Sequence, residues 1–286
     1  MHKVITAVIT PFTTTGAIDY DHFRRLLVDQ IEAGINDFVI NGTTAEAPTL
    51  TLEEKRRLIE IGRELISGTI IVGVSSNSTA KMIEEIKYLD DLDIDGYMVC
   101  PPYYNKTSQA GLYQHVMAIT EVSERSILLY NVPSRCQMSF SLETVLKLSA
   151  CPQVIGIKEA SGDLNYFFNV VNQTSEDFAV FNGNDDLIVV TAKLGAAGVI
   201  SAISNGYAEP IVHLNSYLNN QDYDQAYSYF QTILPVIDKT YQQVNPIGVK
   251  ALAKINYNYS DYLRLPLVEA EDSYYQELRA VVDLCK

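Results

Sequence analysis

Lys158 is the residue whose position in this sequence most directly suggests covalent chemistry. It follows Val154-Ile155-Gly156-Ile157, a short apolar run typical of a strand that is buried on both faces. Burial disfavours the ammonium form of a lysine and lowers its pKa, and such a lysine can attack a carbonyl carbon to form a Schiff base. For a lysine considered alone, a side chain that extends its amine to solvent is the commoner arrangement.

Other residues with useful chemistry stand at the ends of other predicted strands. They are Thr43 and Thr44 after the second strand, Tyr103 and Tyr104 after the fourth, Tyr130 and Arg135 at and after the fifth, Gly183, Asn184 and Asp185 after the seventh, and Ile200 and Ser201 in the eighth. Together these ends offer an amine, a guanidinium group, phenols and hydroxyls, without a carboxylate pair or a histidine or cysteine triad. The combination suits an imine-forming lysine that acts on a ketone.

An α-keto acid such as pyruvate fits this set of groups. The N–H groups and hydroxyls of Gly42-Thr43-Thr44 can bind its carboxylate, and a phenol such as Tyr130, hydrogen-bonded to Thr43, can carry protons while the imine forms. Arg135 can bind the carboxylate of a second substrate bidentately. The imine then acts as an electron sink, so that the methyl group of pyruvate becomes an enamine nucleophile. We therefore expect aldol addition or its reverse, which requires no metal or organic cofactor.

Each of these residues has a commoner structural role when it is considered alone. Threonines at strand ends often form turns or helix caps, and in a chain with 19 tyrosines a single tyrosine is a weak signal. Tyr103 and Tyr104 follow two prolines and are also typical of a protein interface. A lone Arg135 would most often form a surface ion pair. Their joint occurrence at several strand ends is what these structural roles explain poorly.

The elements that must position these residues alternate eight times between strand and helix. Strands are predicted over 4–12, 37–40, 69–74, 96–100, 126–131, 154–157, 178–181 and 198–201. A capping box at Thr51 and Glu54 opens one helix, another helix is predicted over 113–124, and a loop is predicted around Gly206. Eight such units predict a TIM (β/α)8 barrel, whose active site lies at the carboxyl ends of the strands. An open doubly wound sheet is the alternative, but no G-x-G-x-x-G turn follows the first strand.

Further helical patterns follow the eighth strand. They cover 211–218, 223–240, 246–255 and 273–284. Since a barrel needs only part of this length, we predict a (β/α)8 barrel over residues 1–222 and a C-terminal helical extension, packed on the barrel, over residues 223–286.

Composition excludes several classes of function. With 21 basic and 35 acidic residues the formal charge is −14, so the chain should repel nucleic acid and anionic membranes. The run 55–57 falls on a helical pattern among acids and is predicted to be a solvated face. Four cysteines without C-x-x-C pairing and a start without a signal-peptide pattern indicate reduced thiols and a cytoplasmic protein. The four scattered histidines predict no metal site, and no apolar run approaches a membrane span.

Several longer motifs resemble the dihydrodipicolinate synthase family, part of a superfamily of class I aldolase barrels that includes N-acetylneuraminate lyase. The motifs are NGTTAEAPTL, PPYYNKTSQAGLYQH, LLYNVPSR, VIGIKEASG, NGND, GVIS, VNPIGVKALAK and LRLPL, and they extend over the whole chain. The resemblance implies a 4-hydroxy-tetrahydrodipicolinate synthase reaction, in which pyruvate condenses with aspartate 4-semialdehyde on the route to diaminopimelate and lysine. It implies the same small-molecule substrates and no cofactor.

The resemblance also implies catalytic roles and an assembly. Lys158 is expected to form the Schiff base, and Tyr130 to relay protons with Thr43 as its partner. Tyr104 is expected to reach into the site of a neighbouring subunit and complete the relay there. This role implies a homo-oligomer, which in the family is a tetramer built as a dimer of dimers.

Four more residues match positions that bind the substrates. Thr44 is expected to contact the carboxylate of pyruvate and Arg135 that of the semialdehyde, while Gly183 and Ile200 line the pocket.

Two positions depart from the pattern of the family. Ala45 replaces the usual glycine of G-T-T-G-E, so we expect its backbone to avoid positive φ. Asn184 stands where acidic residues are frequent, which leaves its role open.

Five positions match the lysine-binding regulatory site that feedback-inhibited members carry at their dimer interface. They are Asn77, Lys81, Tyr103, Leu52 and Lys55. Lys81 stands where an acidic residue would hold the amine of the inhibitor, and Leu52 and Lys55 replace histidines. Because a cation facing a cationic ligand is repulsive, we predict that this site is non-functional and that inhibition by lysine is weak or absent.

Two other functions remain open at the level of sequence. N-acetylneuraminate lyase or another pyruvate-dependent aldolase would use the same lysine, but sugar-acid lyases usually carry an apolar or small residue in the region of Arg135. A non-catalytic keto-acid-binding barrel belongs to a different class, and binding alone would not require Lys158 together with Tyr130 and Thr43.

Overall fold

The computed structural model describes residues 2–285 and contains a closed barrel of eight parallel strands, each paired with its neighbours in chain order. The strands are β1 Lys3–Ala7, β2 Asp37–Ile40, β3 Ile70–Gly73, β4 Gly96–Val99, β5 Ser126–Asn131, β6 Val154–Glu159, β7 Ala179–Asn182 and β8 Gly198–Ser201. The ring closes where β1 pairs with β8. The predicted TIM barrel with a C-terminal helical extension is confirmed, and an open sheet is excluded.

Helices cover the outside of the strands and form the C-terminal tail. Within residues 2–285 they are α1 Tyr20–Glu32, α2 Leu52–Leu65, α3 Thr79–Leu89, α4 Gln109–Thr120, α5 Pro133–Cys136, α6 Leu142–Ser149, α7 Leu164–Gln173, α8 Ile188–Lys193, α9 Ser204–Asn219, α10 Tyr223–Tyr241, α11 Ile247–Tyr257 and α12 Asp272–Leu284. The predicted capping box of α2 is present, since Thr51 and Glu54 bond each other's backbone N–H groups. This box fixes the start of the helix that follows the Thr43 loop.

Two boundaries near the amino end of the barrel differ from the prediction. β1 ends at Ala7 rather than at residue 12, because the N–H of Ile9 donates to Asn205 Oδ1 (2.9 Å) instead of to a neighbouring strand. Gly206 lies in α9 rather than in a loop. A Cβ at Gly206 would lie 2.7 Å from the backbone N of Ala253, so this glycine lets α9 and α11 approach closely.

Two further boundaries bear on the site. β6 continues to Glu159, whose carboxylate accepts a hydrogen bond from Asn131 on β5 (2.7 Å), so Lys158 lies within the strand rather than after it. α4 begins at Gln109 rather than at residue 113, because Ser108 caps its first turn.

Apolar side chains fill the barrel on both faces of its strands. The interior holds a layer of inward-facing residues, namely Ile5, Val39, Ile71, Met98, Leu128 and Ile200. A larger cluster lies between the strands and the surrounding helices. The interior is therefore a packed core, and functional side chains can stand only at its ends.

The tail packs on the barrel through its own apolar cluster, which includes Leu214, Phe230, Ile237, Leu252 and Leu278. α9 contacts β1, α10 contacts α8 and α9, and α11 contacts α9. α10 begins at residue 223, where the extension was predicted to start. The division into 1–222 and 223–286 stays a prediction, and residues 1 and 286 lie outside the described range. Within residues 2–285 no helix has the length and apolar character needed to cross a bilayer.

Candidate active site

Lys158 is a buried lysine at the carboxyl end of the barrel. On β6 it stands between Tyr130 of β5 and Phe181 of β7, and 5% of its surface is exposed. Its Nζ lies 4.7 Å from the centroid of the Tyr130 ring. Burial lowers the pKa of Lys158 to about 8, with the Asp185 carboxylate opposing and the Arg135 guanidinium adding to this shift. A useful fraction of this amine is therefore neutral, and nucleophilic, near neutral pH.

Gly183 provides the space that Lys158 occupies. A Cβ at this position would lie 2.9 Å from Lys158 Cε and 2.7 Å from the Cβ of Ala160. Since carbon atoms in contact are about 3.5–4.0 Å apart, any side chain here would displace the lysine. The predicted pocket-lining role of Gly183 thus has a specific steric basis.

Tyr130 is the buried phenol beside this amine. Its hydroxyl interacts with the side chain of Thr43, both residues line the smaller cavity, and 8% of Tyr130 is exposed. Burial raises the pKa of Tyr130 well above its usual value, against an opposing effect of Arg135. The phenol therefore keeps its proton at neutral pH and can donate it, as a relay to and from the amine requires.

The loop that carries Thr43 is a single 3-10 turn, Thr43–Ala45, placed directly after β2. Ala45 avoids positive φ, as expected, while the next residue, Glu46, adopts the left-handed conformation with φ 57°. Glu46 is held there by an ion pair with Lys250 Nζ (2.5 Å), in which neither side chain is exposed. Its other oxygen accepts the N–H of Arg264 (3.0 Å). The tail thus fixes the turn that carries the threonines.

Asn245 connects the two proposed carboxylate contacts. Its side-chain amide donates to Thr44 Oγ1 (3.0 Å), and its carbonyl accepts from Arg135 Nη2 (2.9 Å). Thr44 is buried, whereas Arg135 is exposed at the rim. Asn245 and Lys250 were not predicted as site residues, although both lie in the motif VNPIGVKALAK, because no spacing along the chain connects the C-terminal helices with the turn after β2.

Two cavities meet at this end of the barrel. One of about 520 Å³ is lined by Lys158, Gly183 and Asn245 among others, and one of about 240 Å³ extends past Thr43 toward Tyr103. Three residues line both cavities: Tyr130, Val132 and Arg135. The structure thus brings together Lys158, Tyr130, Thr43, Arg135 and Gly183.

Three other predicted site residues do not line these cavities. Thr44 is buried beside them, and Ile200 is fully buried inside the barrel. Tyr104 is 93% exposed, with φ 71°, and lines neither cavity of its own chain. Its predicted action in a neighbouring subunit stays a proposal.

Asp185 is a further buried group that the sequence placed here without a role. Its Oδ2 accepts the N–H groups of Ala202 and Ile203 (both 3.1 Å) and the hydroxyl of Tyr241. It lines the larger cavity, where its charge acts on Lys158. Asn184 also lines this cavity, and its backbone N–H donates to Asn182 Oδ1 (3.0 Å).

The predicted regulatory positions fall into two groups. Lys55 is buried and forms an ion pair with Glu85 (2.7 Å), so the expectation that the run 55–57 is a solvated face was wrong at Lys55. The burial is possible because the paired carboxylate replaces water around the amine. Lys55 and Tyr103 line the smaller cavity. Lys81 is exposed, Leu52 is 36% exposed, and the carbonyl of Asn77 accepts from Asn105 (2.8 Å).

Among residues 2–285 no group of three or more His, Cys, Asp or Glu side chains is arranged to hold a metal ion. The four cysteines are free.

Comparisons with known proteins agree along the whole chain. A model of the dihydrodipicolinate synthetase family matches residues 1–284. The chain is 38% identical over 267 residues to 4-hydroxy-tetrahydrodipicolinate synthase of Cytophaga hutchinsonii, covering 93% of this chain and 90% of that protein. It is 40% identical over 267 residues to the protein of that name from Exiguobacterium sp., covering 93% and 91%.

Solved structures give the same relationship. The crystal structure of dihydrodipicolinate synthase from Thermotoga maritima is similar with a TM-score of 0.94 and 34% identity, over 100% of this chain and 98% of that one. A structure described as the first monomeric dihydrodipicolinate synthase variant is similar with a TM-score of 0.94 and 34% identity, over 100% and 97%.

Proposed function

The chain belongs to the dihydrodipicolinate synthetase family, and we propose that it condenses pyruvate with aspartate 4-semialdehyde to 4-hydroxy-tetrahydrodipicolinate. The observation that carries the proposal is Lys158, a buried amine with a pKa lowered to about 8, which lines a cavity beside the phenol of Tyr130. Amine, phenol and cavity are what a Schiff-base enzyme needs at one place.

The first half of the reaction forms an imine. The neutral Nζ of Lys158 attacks C2 of pyruvate, and the ketone oxygen finally leaves as water. Both protons of that water originate on the amine, and Tyr130 with Thr43 passes them to the oxygen. Because the phenol stays protonated at neutral pH, it can donate before it accepts. Transfer of one methyl proton of the imine to its nitrogen then gives the enamine.

The second half forms the carbon–carbon bond and frees the lysine. The enamine carbon attacks the aldehyde carbon of the semialdehyde, and the aldehyde oxygen takes the proton from the enamine nitrogen, which gives a hydroxyl and restores the imine. The amine of the semialdehyde then adds to C2 and displaces the Nζ of Lys158, which closes the ring. Electrons and protons balance without an external oxidant or reductant.

The binding residues complete this assignment. Arg135 is the proposed anchor of the semialdehyde carboxylate, since its guanidinium lies at the rim common to both cavities. Thr44 is the proposed contact of the pyruvate carboxylate, oriented by Asn245. Gly183 leaves room for the lysine, and Ile200 belongs to the apolar layer inside the barrel.

We further propose a homotetramer in the cytoplasm. Tyr104 is 93% exposed in the single chain, and tyrosine is enriched at protein interfaces. Its exposure therefore supports a contact between subunits at this position. The unpaired cysteines of the sequence support a reducing compartment. One structural relative is described as a monomeric variant, so sedimentation velocity is the direct measurement of this assembly.

The names of the relatives favour the synthase over the two alternatives. Both relatives reported above are named 4-hydroxy-tetrahydrodipicolinate synthase, and neither is named a sugar-acid lyase. A binding protein without catalysis would have no use for a buried lysine beside a buried proton donor. The synthase is therefore the function that this chain's residues support best.

Borohydride reduction in the presence of pyruvate tests the proposal. We expect a stable pyruvate adduct at Lys158, located by peptide mass spectrometry. Lys250 is a matched internal control, because it is also buried with a pKa lowered to about 8 but is held by Glu46 away from the cavity linings. An adduct at Lys250, or none at all, would refute the assignment. Consumption of aspartate semialdehyde, set against cleavage of a sialic acid, separates the synthase from the lyase.

A further inference from the structure

Two thiols line the smaller cavity, and the reaction above uses neither of them. Cys100 follows β4 and Cys136 ends α5, and both line the cavity with Tyr130 and Arg135. They are 8% and 2% exposed, they belong to one cluster with Tyr130 and Val132, and their thiols interact with each other. The remaining cysteines, Cys151 and Cys285, line neither cavity.

The surroundings of the two thiols are unequal. Interactions with the Cys136 thiol and the Ser75 hydroxyl lower the pKa of Cys100 in spite of burial, and the backbone N–H of Cys100 donates to Ser75 Oγ (3.3 Å). The interaction with Cys100 raises the pKa of Cys136, with burial adding to the effect and the Arg135 guanidinium opposing it. Cys100 is therefore the better nucleophile of the pair, and Cys136 is the thiol that reacts second.

We propose that Cys100 and Cys136 are a reversible oxidation site, which a hydroperoxide converts to a disulfide. The Cys100 thiolate attacks one peroxide oxygen, the O–O bond breaks, and the departing alkoxide takes up the proton that Cys100 lost. This leaves a sulfenic acid on Cys100. The sulfur of Cys136 then attacks Sγ of Cys100, the S–O bond breaks, and water leaves with the proton of Cys136. Two thiols lose two electrons, and the hydroperoxide becomes an alcohol and water.

Formation of this disulfide would distort the site. The two sulfur atoms must approach to about 2.05 Å, much closer than the thiols of two free cysteines. Cys136 belongs to the short helix α5, Pro133–Cys136, whose third residue is Arg135. Drawing Cys136 toward β4 therefore moves Arg135 at the rim of both cavities. Disulfides of intracellular proteins are commonly transient and redox-sensing, and this position would couple oxidation to substrate binding.

The test uses the full-length reduced protein. It is treated with hydrogen peroxide, thiols that remain are alkylated, and peptides are mapped by mass spectrometry without reduction. We expect a linked peptide that joins Cys100 to Cys136. Synthase activity should fall at least about tenfold, since a misplacement of about 1 Å can cost roughly 100-fold. Dithiothreitol should restore it.

Variants identify the pair. Cys136→Ser should abolish the linked peptide and the reversible loss, measured against that variant's own reduced activity, and Cys100→Ser should do the same. Cys151→Ser, whose thiol is remote from the cavities, is the matched control and should respond like the parent. Absence of the linked peptide in the parent protein would overturn the proposal.

The effect on activity rests on the proposed function, whereas the linkage does not. A linked peptide with unchanged activity would overturn the coupling to the site. If the reduced protein had no synthase activity, the proposed function would fail, and peptide mapping would still decide whether the disulfide forms.

Discussion

Replacing Gly183 by alanine should disable Lys158 by steric displacement. The backbone of Gly183 does not require positive φ, so alanine is tolerated conformationally and the effect is one of space. The new Cβ would stand 2.9 Å from Lys158 Cε. Restoring an ordinary carbon–carbon contact requires the lysine to retreat by roughly 0.6–1.1 Å.

The magnitude follows from the rotamers of the lysine. If Nζ must stay in place for the reaction while Cε moves, we expect two χ angles of Lys158 to leave their staggered minima. Each distortion costs about 0.5–1.5 kcal/mol of conformational energy. The resulting barrier of about 1–3 kcal/mol corresponds to a rate about 5- to 150-fold lower. Stability should fall as well, by about 1–3 kcal/mol, because the same Cβ overpacks Ala160 at 2.7 Å.

A second substitution separates the two effects. In the double variant Gly183→Ala, Ala160→Gly the contact with Ala160 is removed, while the contact with Lys158 remains. We expect urea denaturation to recover much of the lost stability and steady-state assays to show that kcat stays low. Recovery of kcat together with stability would refute the steric role assigned to Gly183. Unchanged kinetics in the single variant would refute it as well.

Four further predictions follow from the charges of the site. Burial lowers the pKa of Lys158 to about 8, so the neutral amine accumulates as pH rises. We expect kcat/KM for pyruvate to rise about tenfold per pH unit below pH ~7 and to level off above pH ~9. Asp185→Asn removes a charge that raises this pKa and should move the pH profile to lower pH. Arg135→Ala should raise KM for the semialdehyde about 10- to 150-fold and leave that for pyruvate nearly unchanged, and equal effects in initial-rate assays would contradict its role. Lysine at submillimolar concentration should inhibit weakly or not at all, because the exposed Lys81 would repel its amine and Lys55 holds Glu85 in an ion pair. Strong inhibition in an initial-rate assay would contradict this prediction. Glu46→Gln should cost about 3–5 kcal/mol of unfolding free energy, since the charge of Lys250 stays buried, and Glu46→Gln with Lys250→Met should cost less.

The periodicity of the sequence was sufficient to predict the barrel. Eight apolar runs alternate with helical patterns, and parallel strands carry their functional residues at one end. Knowing the strand order was therefore enough to bring Lys158, Tyr130 and Thr43 together without any knowledge of side-chain positions. The errors fell at boundaries such as residue 8 onward, where the N–H of Ile9 leaves the ladder for the side chain of Asn205. No local pattern announces a partner that lies so far along the chain.

Contacts between charged or polar side chains were beyond such reasoning. Lys55 has a surface sequence context, and it is buried because Glu85, on the next helix, pairs with it. Cys100 and Cys136 follow different strands, and their thiols meet because β4 and β5 are neighbours in the barrel. Pairing of this kind depends on rotamers and distances between elements, which spacing along a chain does not determine.

The tail is where sequence reasoning was least adequate, and the structure explains why it cannot be an appendage. Lys250 neutralises Glu46, and Asn245 orients Thr44, so two residues beyond position 222 hold the turn at the end of β2. A barrel without the tail would leave Glu46 without the cation that it pairs with, and removing one partner of a buried ion pair costs about 3–5 kcal/mol. The turn would then relax toward water, and the hydroxyl of Thr43 would leave the phenol of Tyr130. The proposed proton relay at Lys158 therefore depends on the C-terminal helices as directly as on the strands that carry it.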